Sequence, residues 1–109
     1  YMDAPRRDSL LAGYRFERFT PNTITALEPF LQELASVRES GLSFDNQESI
    51  SGLAGIGGPV FNHTGTVIAA FALTGNPETM ARRRGDIIEA VRFTSREVSS
   101  QLGLADWRH

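Results

Sequence analysis

The segment from residue 52 to residue 77 constrains the fold most, because it joins glycine-rich extended chain to a short polar turn. Asn62-His63-Thr64-Gly65 reads as a hairpin turn in which Gly65 can adopt a positive φ. From Thr66 to Thr74 the residues alternate between the two faces of a strand. One face carries Val67, Ala69, Phe71 and Leu73, and the other carries Ile68, Ala70, Ala72 and Thr74. We therefore predict a hairpin over 52–74 with one core face and one face that ends in small residues, where a small molecule could fit.

Helical periodicity flanks this hairpin. A helix is predicted from about Thr25 to Ser40, with a capping box formed by Thr25 and Glu28 and a stop at Gly41. A shorter helix is predicted over 7–14. The last helix is predicted from about Gly85 to Leu102, ended by the Gly103-Leu104 pair, with a buried stripe of Ile87, Val91, Val98 and Leu102. The order of helix, antiparallel hairpin and helix indicates an α+β fold in a single domain over 1–109.

Composition excludes several classes of function. The formal charge is −2, which argues against a nucleic-acid-binding surface on this chain, and all 11 basic residues are Arg, which removes lysine chemistry. Without Cys there is no disulfide, thiolate nucleophile or Cys-bound metal. The longest apolar run, Val67 to Leu73, is far shorter than the roughly 20 residues of a membrane helix. With no signal peptide visible, we expect a cytoplasmic protein; the first residue, Tyr1, suggests a fragment of a longer chain.

No motif indicates catalysis, a metal site or a cofactor site. His63 and His109 lack partners at metal-ligand spacing and are expected to be solvated, and there is no nucleophile elbow. The glycines of 52–58 invite comparison with a phosphate loop, but a strand rather than a helix is predicted to follow them. A bulged strand whose glycines permit close approach of another backbone or of a ligand explains them better. We therefore predict a protein that is not an enzyme.

Three other features can be read in two ways. Asp45 is either a solvated turn residue or an acceptor for a ligand hydroxyl or a protonated acid. The run Arg82-Arg83-Arg84 is either a solvated face or a contact, whether to a carboxylate or through a salt bridge to another subunit. Trp107 is expected to pack back on the domain or on a partner chain.

The order and spacing of these segments resemble the effector-binding domain of the IclR family of bacterial transcription regulators. The resemblance extends from about Tyr14 to Gly103, and it rests on Phe19-Thr20-Pro21-Asn22-Thr23-Ile24-Thr25, Val37-Arg38-Glu39-Ser40-Gly41, Asp45-x-x-Glu48, the segment Gly52 to Phe61, Gly65-Thr66-Val67, Thr74-Gly75 and Ser99-Ser100-Gln101-Leu102-Gly103. It implies a GAF-like fold, in which an antiparallel sheet flanked by helices carries a small-molecule pocket. The chain corresponds to the later part of that domain only.

The resemblance also implies partners and site residues. The family's proteins bind operator DNA through an N-terminal winged helix-turn-helix domain, which this chain lacks, and they form dimers or tetramers. The pocket acid falls on Asp45, a position often Cys falls on Gly55, and two positions often Ser fall on Ala72 and Thr74. These departures remove hydrogen-bonding groups, so we expect a larger or more apolar effector, such as an aromatic acid. The alternative is an assembly-only module with a vestigial pocket.

Overall fold

The structure is a computed structural model, and it describes residues 1–108. Four helices and three strands follow one another along the chain, which confirms the α+β class. They are α1 (Ala4–Leu11), α2 (Leu27–Ser40), β1 (Ser43–Asn46), β2 (Ala54–Phe61), β3 (Val67–Gly75), α3 (Pro77–Arg82) and α4 (Arg84–Gln101).

The three strands form one antiparallel sheet in the order β1-β2-β3. The predicted hairpin is confirmed as β2 and β3, and Gly65 in its turn has a φ of 78°. A bulge interrupts the β2–β3 register between Val60 and Phe61. The third strand, β1, was not predicted, because its four residues are mostly polar and only their pairing with β2 makes them a strand.

Helix α4 packs on the central strand, β2, in which every residue is buried. The buried residues of α4 are Val91, Ser95 and Ser99, one turn apart on a single side. A Cβ built on Gly58 would lie 2.4 Å from Ser95 Oγ and 3.0 Å from Val91 Cγ1. Glycine at this strand position therefore permits the helix backbone to approach the sheet.

This close approach corrects the predicted stripe of α4. Val91 is buried as expected and Ile87 packs against the core, but Val98 and Leu102 remain 38% and 43% exposed. Small hydroxyl side chains occupy the sheet-facing positions in the second half of the helix. Ser99 Oγ accepts a hydrogen bond from Phe61 N at 2.9 Å, at the bulge where the strand register breaks. The prediction for Val98 and Leu102 was wrong because a hydrophobic period does not detect buried serine.

The end of α4 agrees with its predicted glycine cap. Gly103 has a φ of 95°, and Leu104 N donates to Ser99 O at 3.0 Å. This is the Schellman arrangement, which pairs carbonyls left free at the helix end. The following tail returns to the sheet, where the Trp107 ring meets the Phe61 ring edge-on with centroids 5.8 Å apart.

The helix boundaries differ from prediction at their starts. Helix α2 begins after Ala26 with no side-chain cap, so the predicted Thr25–Glu28 capping box is wrong. Pro29 lies in the first turn, where its missing N–H costs nothing, and Gly41 ends the helix with a φ of 73° as predicted.

Helix α1 begins earlier than expected, at Ala4. The short α3 was not predicted; Asn76 Oδ1 caps it by accepting from Glu78 N at 2.9 Å.

Two threonines of the loop before α2 hold the turn that follows β1. Thr23 Oγ1 accepts from Thr20 N at 2.9 Å and from Phe19 N at 3.1 Å, and it donates to Glu48 O. Thr20 is buried, and its Oγ1 donates to Gln47 O at 2.5 Å. These bonds tie the loop at residues 19–23 to the β1–β2 connection and so position the end of β1.

Within residues 1–108, no helix combines the length and the apolar character needed to cross a bilayer.

Ser99→Ala should lower the free energy of unfolding by about 1–3 kcal/mol, because Phe61 N would remain buried without an acceptor. Ser95→Ala is the matched control. Ser95 Oγ is buried and has no hydrogen-bond partner among the described residues, so its removal should change stability by less than about 1 kcal/mol. Urea unfolding of the three proteins measures both changes. Equal losses for the two variants would contradict the role assigned to Ser99.

Thr23→Val should destabilise the chain by about 1–3 kcal/mol, since the isosteric side chain leaves Thr20 N and Glu48 O without their partner. Thr25→Val serves as the control, because Thr25 Oγ1 accepts only one exposed bond, from Arg18 at 3.4 Å. Amide hydrogen exchange should accelerate around residues 45–48 in the first variant and remain unchanged in the second. Unchanged exchange there in Thr23→Val would show that the loop does not hold this turn.

Candidate functional site

The four predicted site residues lie on one face of the sheet. Asp45 pairs with Gly55, and Gly55 pairs with Thr74, so these three form a row across all three strands. Ala72 pairs with Gly57, two residues further along β2, and therefore belongs to the same face. We call this surface the small-residue face.

Distances at the glycines show that the neighbouring side chains point to this face. A Cβ built on Gly55 would lie 3.1 Å from Thr74 Cγ2 and 4.0 Å from Asp45 Cβ. A Cβ built on Gly57 would lie 3.6 Å from Ala72 Cβ and 2.6 Å from Ser43 Oγ. Glycine thus keeps the centre of the face low, with side chains of the outer strands on either side.

Ser43 is a member of this face that sequence reasoning missed. It stands two residues before Asp45 on β1 and pairs with Gly57, so its hydroxyl lies beside the same glycine floor. Period-two spacing with Asp45 would have identified it if β1 had been recognised as a strand.

Asp45 has the predicted role of a turn residue. Its Oδ1 accepts a hydrogen bond from Glu48 N at 2.9 Å, which closes the turn after β1, and Asn46 N donates to Glu48 Oε2 at 3.0 Å. Among residues 1–108, Asp45 Oδ2 accepts no hydrogen bond. The half-buried carboxylate is therefore fixed in orientation by one oxygen and keeps the other as an acceptor.

The small-residue face is open in the described part of the chain. Ala72 and Thr74 are exposed, and neither lines any of four surface clefts of about 280 to 450 Å³. The groups it offers are the hydroxyls of Ser43 and Thr74, the Asp45 carboxylate and apolar surface. Hydroxyls can donate to a ligand carboxylate, while Asp45 can accept from a ligand hydroxyl. These groups suit the binding of a small organic acid.

The described residues offer no grouping suited to metal binding. Within 1–108 there is no cluster of three or more His, Asp or Glu side chains that could hold a metal ion. His63 is exposed in the hairpin turn, and His109 lies outside the described residues. The glycine segment is a buried strand that leads into a hairpin rather than a helix, so it does not form a phosphate loop.

The arginine run divides between two environments. Arg83 Nε lies 3.9 Å from Asp86 Oδ2, and both side chains are exposed. Arg84 instead stacks on the ring of Phe44, with Cζ 4.4 Å from the ring centroid. The prediction of a solvated face therefore fits Arg82 and Arg83 better than Arg84.

Comparison with known proteins identifies the family. A family model described as "Bacterial transcriptional regulator IclR C-terminal" matches residues 1–100. The chain is 38% identical over 98 residues to the HTH-type transcriptional regulator XynR of Escherichia coli K12, which covers 90% of this chain and 36% of XynR. It is 32% identical to the HTH-type transcriptional regulator KdgR of the same strain, over 98% of this chain and 41% of KdgR. The chain thus spans well under half the length of these relatives.

Solved structures agree with this assignment. The C-terminal domain of E. coli KdgR matches with a TM-score of 0.82 and 32% identity, over 94% of this chain and 63% of that domain. The inducer-binding domain of a double mutant of PobR from Acinetobacter, in complex with 3-hydroxybenzoic acid, matches with a TM-score of 0.78 and 27% identity, over 90% of this chain and 59% of that one.

The relatives are named as transcriptional regulators, which confirms the prediction of a regulatory rather than an enzymatic family. With a family match over residues 1–100 and curated relatives above 30% identity, the chain belongs to the IclR family of bacterial transcriptional regulators and corresponds to part of their C-terminal domain.

Proposed function

We propose that this chain is the effector-sensing and oligomerisation part of a cytoplasmic DNA-binding regulator, and that the small-residue face is its effector site. The observation that carries the proposal is the row of Asp45, Gly55 and Thr74 across three strands, with Ala72 on the same face. Operator DNA would be bound by a winged helix-turn-helix domain elsewhere in the regulator, as expected for relatives named HTH-type. The effector would act by favouring one conformation or assembly of the dimer or tetramer.

The ligand class follows from the pair formed by Gly55 and Thr74. The Thr74 methyl lies 3.1 Å from the point where a Gly55 side chain would begin, so it occupies space that a larger residue would need. The resemblance places Cys and Ser at these two positions in many relatives. Here Gly55 has no polar side chain, Thr74 keeps a hydroxyl but adds a methyl, and Ala72 lacks a further hydroxyl. The face is therefore more apolar, which favours an aromatic acid over a two- or three-carbon oxoacid.

The complex of PobR with 3-hydroxybenzoic acid supports this class, since that protein shares the fold and 27% of the aligned residues. In the present chain Asp45 Oδ2 would accept from a ring hydroxyl, and the hydroxyl of either Ser43 or Thr74, which lie on opposite outer strands, would donate to the acid. The alternative, an assembly-only module, would leave the carboxylate and the two hydroxyls without a role beyond the turn.

Calorimetric titration tests the proposal directly. The full regulator should bind 3-hydroxybenzoate or benzoate more tightly than glyoxylate or pyruvate. Ala72→Ser should shift this preference toward the small oxoacids by roughly fivefold or more, because it restores a donor on the face. Tighter binding of glyoxylate by the unsubstituted protein would refute the ligand class.

Ala69→Ser is the matched control. Ala69 is an exposed alanine of the same strand, but its position in the alternation places it on the opposite face. It should leave both affinities unchanged. If light scattering shows an oligomer while none of these acids binds or raises the melting temperature, the assembly-only reading is favoured instead.

A further inference from the structure

A cleft lies on the opposite side of the sheet from the small-residue face. It has a volume of about 280 Å³ and opens where the outer strand β1 meets the corner between α3 and α4. The residues that line it include Phe44, Ala54, Ile56, Met80, Ala81 and Arg84. Phe44 pairs with Ile56 and packs against the core cluster that contains Ile56, Met80 and Val91, which places these residues on the α4 side of the sheet.

The floor of the cleft is apolar and preformed. Ala54, Ile56 and Met80 are 8%, 4% and 6% exposed, and they belong to the main core cluster. Side chains held in this way do not need to be ordered by a ligand, so little conformational entropy is lost on binding. The floor thus suits a flat or short apolar group.

Arg84 supplies positive charge at the rim. Its guanidinium stacks on Phe44, which limits its freedom, and among residues 1–108 it forms no ion pair, whereas the adjacent Arg83 is paired with Asp86. Helix α4 begins at Arg84, and the acidic residue of its first turn, Asp86, lies near Arg83. A planar, oriented guanidinium is the group best suited to a carboxylate.

Asp45 is an acidic residue that also lines the cleft, together with Gly55. Its side chain leaves the strand on the Gly55 Cβ side, which is the small-residue face, and its Oδ1 is held there by Glu48 N. The Asp45 side chain therefore projects to the face of the sheet opposite Ile56.

We propose that this cleft binds a small monocarboxylate with an apolar body, and that Arg84 binds the carboxylate while Ile56 and Met80 contact the body. The volume of about 280 Å³ lies just below the roughly 300–1,000 Å³ of ligand pockets, which favours a single-ring or short aliphatic acid over a nucleotide. This site is distinct from the proposed effector site and does not depend on it.

A titration of the ¹⁵N-labelled 109-residue chain with benzoate, followed by NMR, locates and measures the binding. The amides of Phe44, Ala54, Met80 and Arg84 should shift together and saturate. Arg84→Gln should weaken the affinity obtained from these shifts by about tenfold or more, because it removes the charged partner. Arg84→Lys should retain part of the affinity, since it keeps the charge but loses the planar fork.

Arg82→Gln is the matched control, because Arg82 belongs to the same arginine run and is exposed but does not line the cleft. It should bind like the unsubstituted chain. The amides of Ala72 and Thr74, on the other face of the sheet, report separately on binding at the small-residue face. Circular dichroism confirms that each variant is folded.

Three results would overturn the second site. The first is no saturable shift of the four amides in the unsubstituted chain. The second is an equal loss of affinity in Arg84→Gln and Arg82→Gln, which would indicate general charge attraction. The third is saturable shifts confined to the amides of Ala72 and Thr74, which would assign the binding to the small-residue face alone.

Discussion

The close contact between α4 and the centre of β2 is the constraint on which the rest of the structure depends. Gly58 has no side chain, and Ser95 Oγ stands 2.4 Å from where its Cβ would be. At this separation the helix can present only small or branched residues, which explains Val91, Ser95 and Ser99 along one side. The same proximity allows Ser99 to bond Phe61 N at the bulge, so the helix completes hydrogen bonding that the sheet leaves open. The tail beyond Gly103 then folds back onto Phe61.

Sequence reasoning succeeded where the cause of structure is local. The helix ends at Gly41 and Gly103 and the turn at Gly65 were predictable, because each depends on residues close together in the chain. The core face predicted for β3 was only partly right, since Phe71 packs against the core while Ala69 and Leu73 are exposed. Sequence reasoning failed where contacts between distant parts of the chain determine the structure. The four residues of β1 are a strand only because β2 pairs with them, and the stripe of α4 contains serines that any hydrophobic period counts as exposed. Missing β1 also concealed Ser43, although Asp45, Gly55, Ala72 and Thr74 had been assigned to the site by resemblance.

The sheet separates two kinds of chemistry by one layer of backbone. On the α4 side, Ile56 and Met80 build the core and the floor of a cleft with Arg84 at its rim. On the other side, glycines keep the surface low between Asp45, Ser43 and Thr74. The turn at residues 45–48 is bound to the loop before α2, because the hydroxyls of Thr20 and Thr23 donate hydrogen bonds to two of its carbonyl groups. The orientation of Asp45 thus depends on residues more than twenty positions earlier in the chain.

The alternation of β2 has an evolutionary consequence. Gly55 and Gly57 lie on one side of the sheet and Gly58 on the other, so different neighbouring residues restrict what could replace each glycine. Substitutions at Gly55, Ala72 or Thr74 would change the proposed effector site without reaching Val91 or Ser95, whereas the helix interface restricts Gly58 whether or not a ligand binds. Changes in a few side chains could therefore alter the preference of the proposed site, while the packing that maintains the fold stays under separate selection.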